Sequence, residues 1–303
     1  MGGGSAVKQH ERRFLQGERE DTGKKEECGE AHWTIKAFGE YEVRKTEGGE
    51  YGLIKKGITI GTFSEARVEE ERILFTLSRG MLLEVSEKGV REISTPEKAI
   101  FMGMIASDGS VTFRREPRLK GGYRTEYSSK FYSEYEELIR IFDKLSNETY
   151  GMTSHHYTRK RNGLITATIY SKGIYYDLSD LNLKPGPYEF HVPREHLDDE
   201  GKRAFLKGFF TGDGNVSVSG GDITIRIYSR CKEGLEELRQ TLMDLGFHPH
   251  EILEYKRPSK ETYYCFSIPT GEHIRFIDEI GSYKPRHIAI FEEIKRKRES
   301  GKK

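Results

Sequence analysis

The chain has 303 residues, enough for a substantial core, and its 35% apolar and 33% charged residues are those of a polar globular protein. Lys and Arg number 50 against 49 Asp and Glu, a net charge of +1, so nucleic-acid contact must come from local clusters rather than an overall basic surface. No run approaches the length of an apolar membrane span, and the three cysteines (Cys28, Cys231, Cys265) lack C-x-x-C spacing, which argues against a disulfide framework or zinc site and predicts a reducing, cytoplasmic setting.

Residues 1–30 are Gly-rich and highly charged with few large apolar groups, and are expected to form a flexible tail. Residues 31–94 hold short β-rich runs broken by glycine, "HWTIKAFGEYEVRK", "YGLIKKGITIGTF" and "RILFTLS", and "VSEKGVREI" reads as a hairpin. They predict a small β-rich domain. Positions 1–95 carry 16 basic against 18 acidic residues, so this domain is no obvious DNA clamp.

The rest is a repeated unit, over 95–190 and 191–303. The first opens "STPEKAIFMGMIASDG", with Thr95 as helix N-cap, Pro96 at the first helical position and Gly109 as the stop. The second opens "LDDEGKRAFLKGFFTGDG", with Asp198 or Asp199 as cap and Gly214 as the stop. Two strands follow each, then a helix with apolar residues at helical spacing, "SEYEELIRIFDKL" or "EGLEELRQTLMDLG". Two more strands joined by a basic turn and a last helix complete each unit. Matching Asp108 with Asp213, Ser128 with Ser229 and Lys184 with Lys284 gives offsets of 105, 101 and 100. The fold class is α+β, two αββαββα repeats after a β-rich N-terminal extension.

Each opening helix carries an interior glycine, Gly103 or Gly208. Such a residue costs about 1 kcal/mol against Ala, so a packing reason is expected. Close approach of the two backbones across a pseudo-twofold axis supplies one, with Phe101, Met104, Ile105, Leu206, Phe209 and Phe210 packed around the seam. Side by side, the helices bring Asp108 and Asp213 together. A carboxylate at a helix C-terminus, where unpaired carbonyls already concentrate negative charge, is unfavourable unless a cation compensates it. Two carboxylates with backbone carbonyls predict Mg²⁺ or Ca²⁺.

The stretches "FMGMIASDG" and "LKGFFTGDG" resemble the LAGLIDADG motif of homing endonucleases in the single-chain, two-repeat form. The resemblance runs from about Pro96 to Arg298 and includes the αββαββα order. Both stretches depart from it at Ala106 and Thr211, where many members carry Asp; that position is not the catalytic one. The resemblance implies two antiparallel four-stranded sheets forming a saddle over double-stranded DNA. It makes Asp108 and Asp213 catalytic metal ligands, with the backbone carbonyls of Ser107 and Gly212 as further ligands. Two or three divalent ions, Mg²⁺ by expectation, would be shared between two active sites. It also implies a basic residue after each unit's last helix, Lys184 and Lys284, and a polar residue ending each second strand, Ser129 and Arg230 as candidates. The implied activity is site-specific cutting of both strands at a long asymmetric target by a monomer with internal pseudo-symmetry, as in intron homing.

DNA contacts are expected from the sheets. In "DITIRIYS", Ile223, Ile225 and Ile227 alternate with Thr224, Arg226 and Tyr228, which puts the second set on an exposed polar face suited to the major groove. The loop "FRREPRLKGGYR" offers Arg114, Arg115, Arg118, Lys120 and Arg124 against one Glu116 for phosphates. Matched turns add Arg159, Lys160 and Arg161 in one unit and Lys256, Arg257 and Lys260 in the other. The C-terminal "EEIKRKRESGKK" reads as a solvated helix end, and the adjacent His155 and His156 as opposite-facing strand residues rather than a metal pair.

The alternative is a non-cleaving module of the same kind, an RNA maturase or a DNA-binding protein. Loss of cutting is expected to remove motif carboxylates, and both are present. The ends, Met-Gly and "SGKK", do not offer the nucleophile and His-Asn pair of protein splicing. No G-x-S-x-G, H-E-x-x-H or P-loop supports other hydrolase chemistry.

Overall fold

The computed structural model describes residues 32–46, 48–56, 58–117, 122–184, 186, 188–219, 222–256 and 261–300. The expected tail at 1–30 lies outside them, as do Arg118, Lys120, Arg257 and Lys260. The chain divides into two compact units, Met1–Thr76 with Leu83–Arg91, and Leu77–Leu82 with Glu92–Lys303.

In the first unit, period-two alternation gives one sheet in the order β1-β2-β3-β4, from β1 (His32–Phe38), β2 (Tyr41–Thr46), β3 (Tyr51–Lys55) and β4 (Ile58–Phe63). A second sheet orders β5 (Ala66–Val68), β6 (Arg72–Thr76), β7 (Met81–Ser86) and β8 (Gly89–Ser94). Phe63 stacks on Phe75 with ring centroids 4.3 Å apart, over a core that includes Val43, Leu53, Ile73 and Leu74. The buried Glu84 carboxylate is satisfied by Arg72 and Arg91, each at 3.1 Å.

The second unit contains both repeats. The first runs α1 (Pro96–Asp108), β9 (Gly109–Pro117), β10 (Tyr123–Ser133), α2 (Glu136–Tyr150), β11 (His155–Thr158), β12 (Ile165–Tyr170) and α3 (Lys172–Asp180). The second runs α4 (Asp199–Asp213), β13 (Gly214–Ser219), β14 (Asp222–Ser229), α5 (Lys232–Asp244), β15 (Leu253–Lys256), β16 (Thr262–Ile268) and α6 (His273–Glu279), followed by a further helix, α7 (Pro285–Ser300). The antiparallel sheets have matching order, β9-β10-β12-β11 and β13-β14-β16-β15. The two repeats therefore share one topology.

Local chemistry starts the motif helices where the residues require it. Thr95 Oγ1 accepts from Lys98 N and Asp198 Oδ1 from Gly201 N, and Pro96 needs no partner in the first turn. Their ends differ from the expectation of a left-handed glycine stop. Gly109 and Gly214 are both extended, with φ of −115° and −76°. Their glycine identity answers to space, because a Cβ would lie 2.6 Å from Ile105 O at Gly109 and 2.3 Å from Phe210 O at Gly214. The chain turns directly from helix into strand there, under its own last turn.

Helices α1 and α4 pack along their length through backbone contact. A Cβ on Gly103 would lie 2.2 Å from Phe205 O, and one on Gly208 2.2 Å from Ile100 O. The large apolar residues of both helices, Phe101, Met104, Ile105, Leu206, Phe209 and Phe210, are buried around this seam. The outer helices close each side. Leu138, Ile139, Phe142 and Leu145 recur at helical spacing along one face of α2, and Phe142 stacks on Phe101 and Phe131. On the other side Phe210 meets Phe276 edge-on at 4.9 Å. An ion pair ties the N-terminal part of each motif helix to a later helix of its repeat, Lys98 to Asp177 of α3 at 2.7 Å and Arg203 to Glu279 of α6 at 3.1 Å.

The glycine seam makes a direct prediction. Gly208→Ala should destabilise the fold by about 2 kcal/mol or more, because overpacking against backbone outweighs the gain of about 1 kcal/mol in helix propensity. Gly271→Ala, where a Cβ meets nothing within 4 Å, should stay within about 0.5 kcal/mol of the parent. Urea unfolding followed by circular dichroism separates the two.

Candidate active site

The C-terminal ends of α1 and α4 open into a cavity of about 740 Å³ whose floor holds both Asp108 and Asp213. Its walls include Lys184, Tyr188, Asn215, Tyr228, Arg230 and Tyr263. Close approach continues to this point, since a Cβ on Gly212 would lie 2.9 Å from Asp108 Oδ2 and 2.3 Å from Ser107 Oγ. The glycine before Asp213 thus admits the carboxylate of the other repeat against the backbone.

Both aspartates are half-buried by exposed area and line the cavity, yet protein surrounds each carboxylate closely. Burial pushes Asp213 up to about 7, and the neighbouring Asp108 carboxylate adds to the rise against Lys184 and Lys284. Burial likewise raises Asp108, opposed by Lys284 and Lys184. The lysine ammoniums sit at the helix ends. Lys184 Nζ donates to Ala106 O at 2.7 Å and to Ser107 O at 3.4 Å, and Lys284 Nζ donates to Gly212 O at 3.1 Å. The expected carbonyl ligands, Ser107 and Gly212, therefore carry lysine ammoniums in the free chain. Burial lowers Lys184, and Asp213 and Asp108 counteract it.

These residues suit a hard divalent cation. The two carboxylates are destabilised as anions, and the carbonyls beside them already attract positive charge. Among the described residues no group of three or more His, Cys, Asp or Glu gathers as a metal cage, so a cation placed here would meet two carboxylates and nearby backbone carbonyls, with water or substrate oxygens at its other positions.

The loop carrying Lys284 is fixed by a side chain to which the sequence assigned no role. Thr211 Oγ1 accepts from Tyr283 N at 3.0 Å while donating to Lys207 O at 2.8 Å. Ser282 Oγ accepts from Lys284 N at 3.1 Å and pairs with His287 Nδ1 at 3.0 Å. The departure from the motif at Thr211 thus anchors a lysine loop. Its counterpart Ala106 has only its carbonyl, which takes Lys184 directly. A threonine two residues before the motif carboxylate, where the first repeat has alanine, was the available signal in the sequence.

Strand register corrects the expected matching of the two repeats. Gly109 pairs with Phe131 and Gly214 with Ile227, so Tyr132 corresponds to Tyr228 and Ser133 to Ser229. Ser133 Oγ accepts from Tyr135 N and Ser229 Oγ from Cys231 N, each at 3.0 Å. Ser128 is not the counterpart of Ser229, and the residue matching Arg230 is Glu134 rather than Ser129. Matching by serine alone failed because the β9–β10 hairpin, Gly109–Ser133, is longer than the β13–β14 hairpin, Gly214–Ser229, which shifts the numbering inside the repeat. Ser129 is buried within β10, and its Oγ has no hydrogen-bond partner among the described residues. Arg230 lines the cavity, 3.9 Å over the Tyr188 ring and 3.2 Å from Glu261.

The same register sorts the expected DNA contacts. Thr224, Arg226 and Tyr228 share the open face of β14, and Ile225 and Ile227 are buried behind it. Of the basic stretch read as a loop, residues 113–117 and 123–124 are instead paired strand. Arg114 faces Glu126 and Arg124 faces Glu116 across β9 and β10, so carboxylates interleave with the arginines. Arg115 pairs with Thr125 on the opposite face, its guanidinium 4.2 Å over the Tyr123 ring. Arg159, Lys160 and Arg161 are exposed at the β11–β12 turn, with Arg159 6.0 Å over the ring of Tyr132, a cavity residue. Lys256 pairs with Thr262, on the face opposite Arg226. His155 and His156 point to opposite faces, and His156 Nε2 meets Asp143 at 2.7 Å.

The raised carboxyl has a measurable consequence. Asp213 keeps a proton in the folded state that the unfolded chain loses near its ordinary 3.8, so its contribution to stability falls as pH rises from about 4 to about 7 and is level above. In EDTA, Asp213→Asn should melt roughly 4 °C or more above the parent at pH 8, with the difference shrinking towards pH 4. Thermal melts across that range check it.

Residues 200–281 match the family model described as a LAGLIDADG-like domain. No curated protein matches the chain. Among solved structures, the chain resembles mesophilic variants of the homing endonuclease I-DmoI at 20% identity, over 61% of this chain and 95% of that one, with a TM-score of 0.48. It resembles I-DmoI in complex with DNA and Ca at 21% identity, over 65% and 97%, with a TM-score of 0.49. It resembles the LAGLIDADG homing endonuclease I-GzeII in complex with a DNA target at 12% identity, over 69% and 92%, with a TM-score of 0.44. The matched stretch holds most of the second motif helix, Asp213 and the sheet β13-β14-β16-β15.

Proposed function

We propose that this chain is a metal-dependent DNA endonuclease that cuts both strands of a duplex at one long, asymmetric site, acting as a monomer whose two repeats supply the two halves of the site. One observation carries the reading: two half-buried carboxylates from matched helices share one cavity, flanked by two sheets of the same topology. A structural core has no use for two carboxylates whose charges oppose each other at helix C-termini. A site that binds cations and phosphates does.

Asp108 and Asp213 would hold divalent cation, Mg²⁺ by preference for oxygen donors, with the carbonyls of Ser107 and Gly212 beside them. When bound, the ion supplies Lewis-acid stabilisation of phosphoryl oxygens and a more acidic water. Lys184 and Lys284 leave those carbonyls to meet the phosphate, where an ammonium offsets the charge that develops on its oxygens. In each cut a water oxygen forms a bond to phosphorus as a sugar oxygen leaves in line, and the leaving oxygen takes up a proton. Thr224, Arg226 and Tyr228 on one open face, with Arg114 and Arg124 on the other, contact bases and phosphates in the groove.

The test is a cleavage screen with Mg²⁺ on a library of long duplexes, the cut ends being sequenced. Discrete double-strand cuts at one site are expected from the parent. Asp108→Asn and Asp213→Asn should each lower cutting by about a thousandfold while DNA affinity changes less than about tenfold. Site-specific binding without cutting by the parent would replace this reading with the non-cleaving module.

A further inference from the structure

Strand register sorts the open faces of the two repeat sheets residue by residue. Partners directly opposite in an antiparallel pair share a face, so Tyr228, Cys265 and Leu253 form one row across β14, β16 and β15. Tyr228 lines the cavity, and the row runs outward from it to Leu253, two strands and about 10 Å away. The matching row of the first repeat is Tyr132, Thr166 and Tyr157. Leu253 thus stands where the first repeat has a tyrosine.

Leu253 is 65% exposed, on an edge strand. Among the described residues it is the one aliphatic side chain on either open face, where the others carry a hydroxyl, amide, imidazole, thiol or charge. Its neighbour Cys265 is buried. Burial pushes that thiol up against the pull of Arg226, so it stays uncharged and presents a small apolar surface. The next row on the same face, Ser267, Arg226 and Asn215, is polar. A spot this small, with polar residues beside it, does not make the core of a protein interface. It suits a single methyl group.

We propose that Leu253, backed by Cys265, reads the C5-methyl group of a thymine in the major groove and so determines part of the target sequence. This rests on the DNA-binding part of the reading above, and it holds whether or not the duplex is cut. The base edges in that groove offer hydrogen-bond donors and acceptors, which the polar rows can meet, and one apolar group, the thymine methyl. Contact with Leu253 takes both apolar groups out of water and calls for no hydrogen bond.

The test takes a duplex selected from random sequence for affinity to the parent chain, in EDTA so that no cutting intervenes. Each thymine is replaced in turn by deoxyuridine, which lacks only the methyl group. At one thymine the parent should lose about fourfold in affinity, the worth of one buried methyl. Leu253→Ala, an exposed change that leaves the fold intact, should bind the unmodified duplex more weakly and no longer distinguish the two bases there. Leu253→Met, apolar and of similar volume, should keep the distinction. Equal affinity of the parent for every replaced duplex would overturn the proposal, as would a loss that Leu253→Ala leaves intact.

A second comparison separates contact from DNA shape. With cytosine or 5-methylcytosine at the responsive position, the parent should prefer the methylated base by about the same factor, and Leu253→Ala should not. Equal binding of the two cytosines by the parent would assign the deoxyuridine effect to duplex deformability and overturn the proposal. If selection yields no preferred sequence, the DNA reading itself is refuted and the methyl contact with it. A preferred sequence without any methyl response refutes the methyl contact alone.

Discussion

Everything in the second unit depends on the backbone contact between Gly103 and Gly208. Helices that meet through ordinary side chains keep their axes about 8–10 Å apart. Here a Cβ at either glycine would fall 2.2 Å from a carbonyl oxygen of the partner helix. That approach continues to Gly212, which lets the two helix ends converge and places Asp108 and Asp213 in one cavity. A bulkier residue at the seam would part the ends, and the carboxylates would become two solvated surface groups.

Convergence creates an electrostatic problem that the free chain answers with lysines. Helix C-termini concentrate negative charge on unpaired carbonyls, and two carboxylates add to it. Lys184 and Lys284 reach across from the ends of other segments to donate to Ala106, Ser107 and Gly212. Burial nonetheless holds the Asp213 carboxyl near 7, and the neighbouring Asp108 carboxylate adds to the rise.

The duplication is close in topology and unequal in chemistry. Sheet order, motif-helix caps and helix-end serines match between repeats, whereas Ala106 faces Thr211 and Glu134 faces Arg230 in the alignment that strand register imposes. The second repeat anchors its lysine loop through Thr211 and Ser282 and continues into α7. Backbone geometry is constrained by the shared seam. Residues on the open side are not, and there the two halves have diverged.

The sequence by itself determined the local elements and the fold class: Thr95 as one cap and Asp198 or Asp199 as the other, the helical spacing of Leu138, Ile139, Phe142 and Leu145, the alternation in "DITIRIYS" and the order αββαββα. Each follows from interactions within a few residues or from a period along one element. The tertiary structure alone decided what depends on register and on the third dimension. Serine matching misaligned the repeats because the whole β9–β10 hairpin runs longer than β13–β14. The arginines of "FRREPRLKGGYR" looked like one basic cluster, but pairing set carboxylates among them and turned Arg115 to the other face. Glycine after each motif aspartate looked like a left-handed stop, yet both glycines are extended and are required by the space beneath the helix end. Periodicity assigns a residue to a face of its own element; only the packed fold fixes which charges meet there.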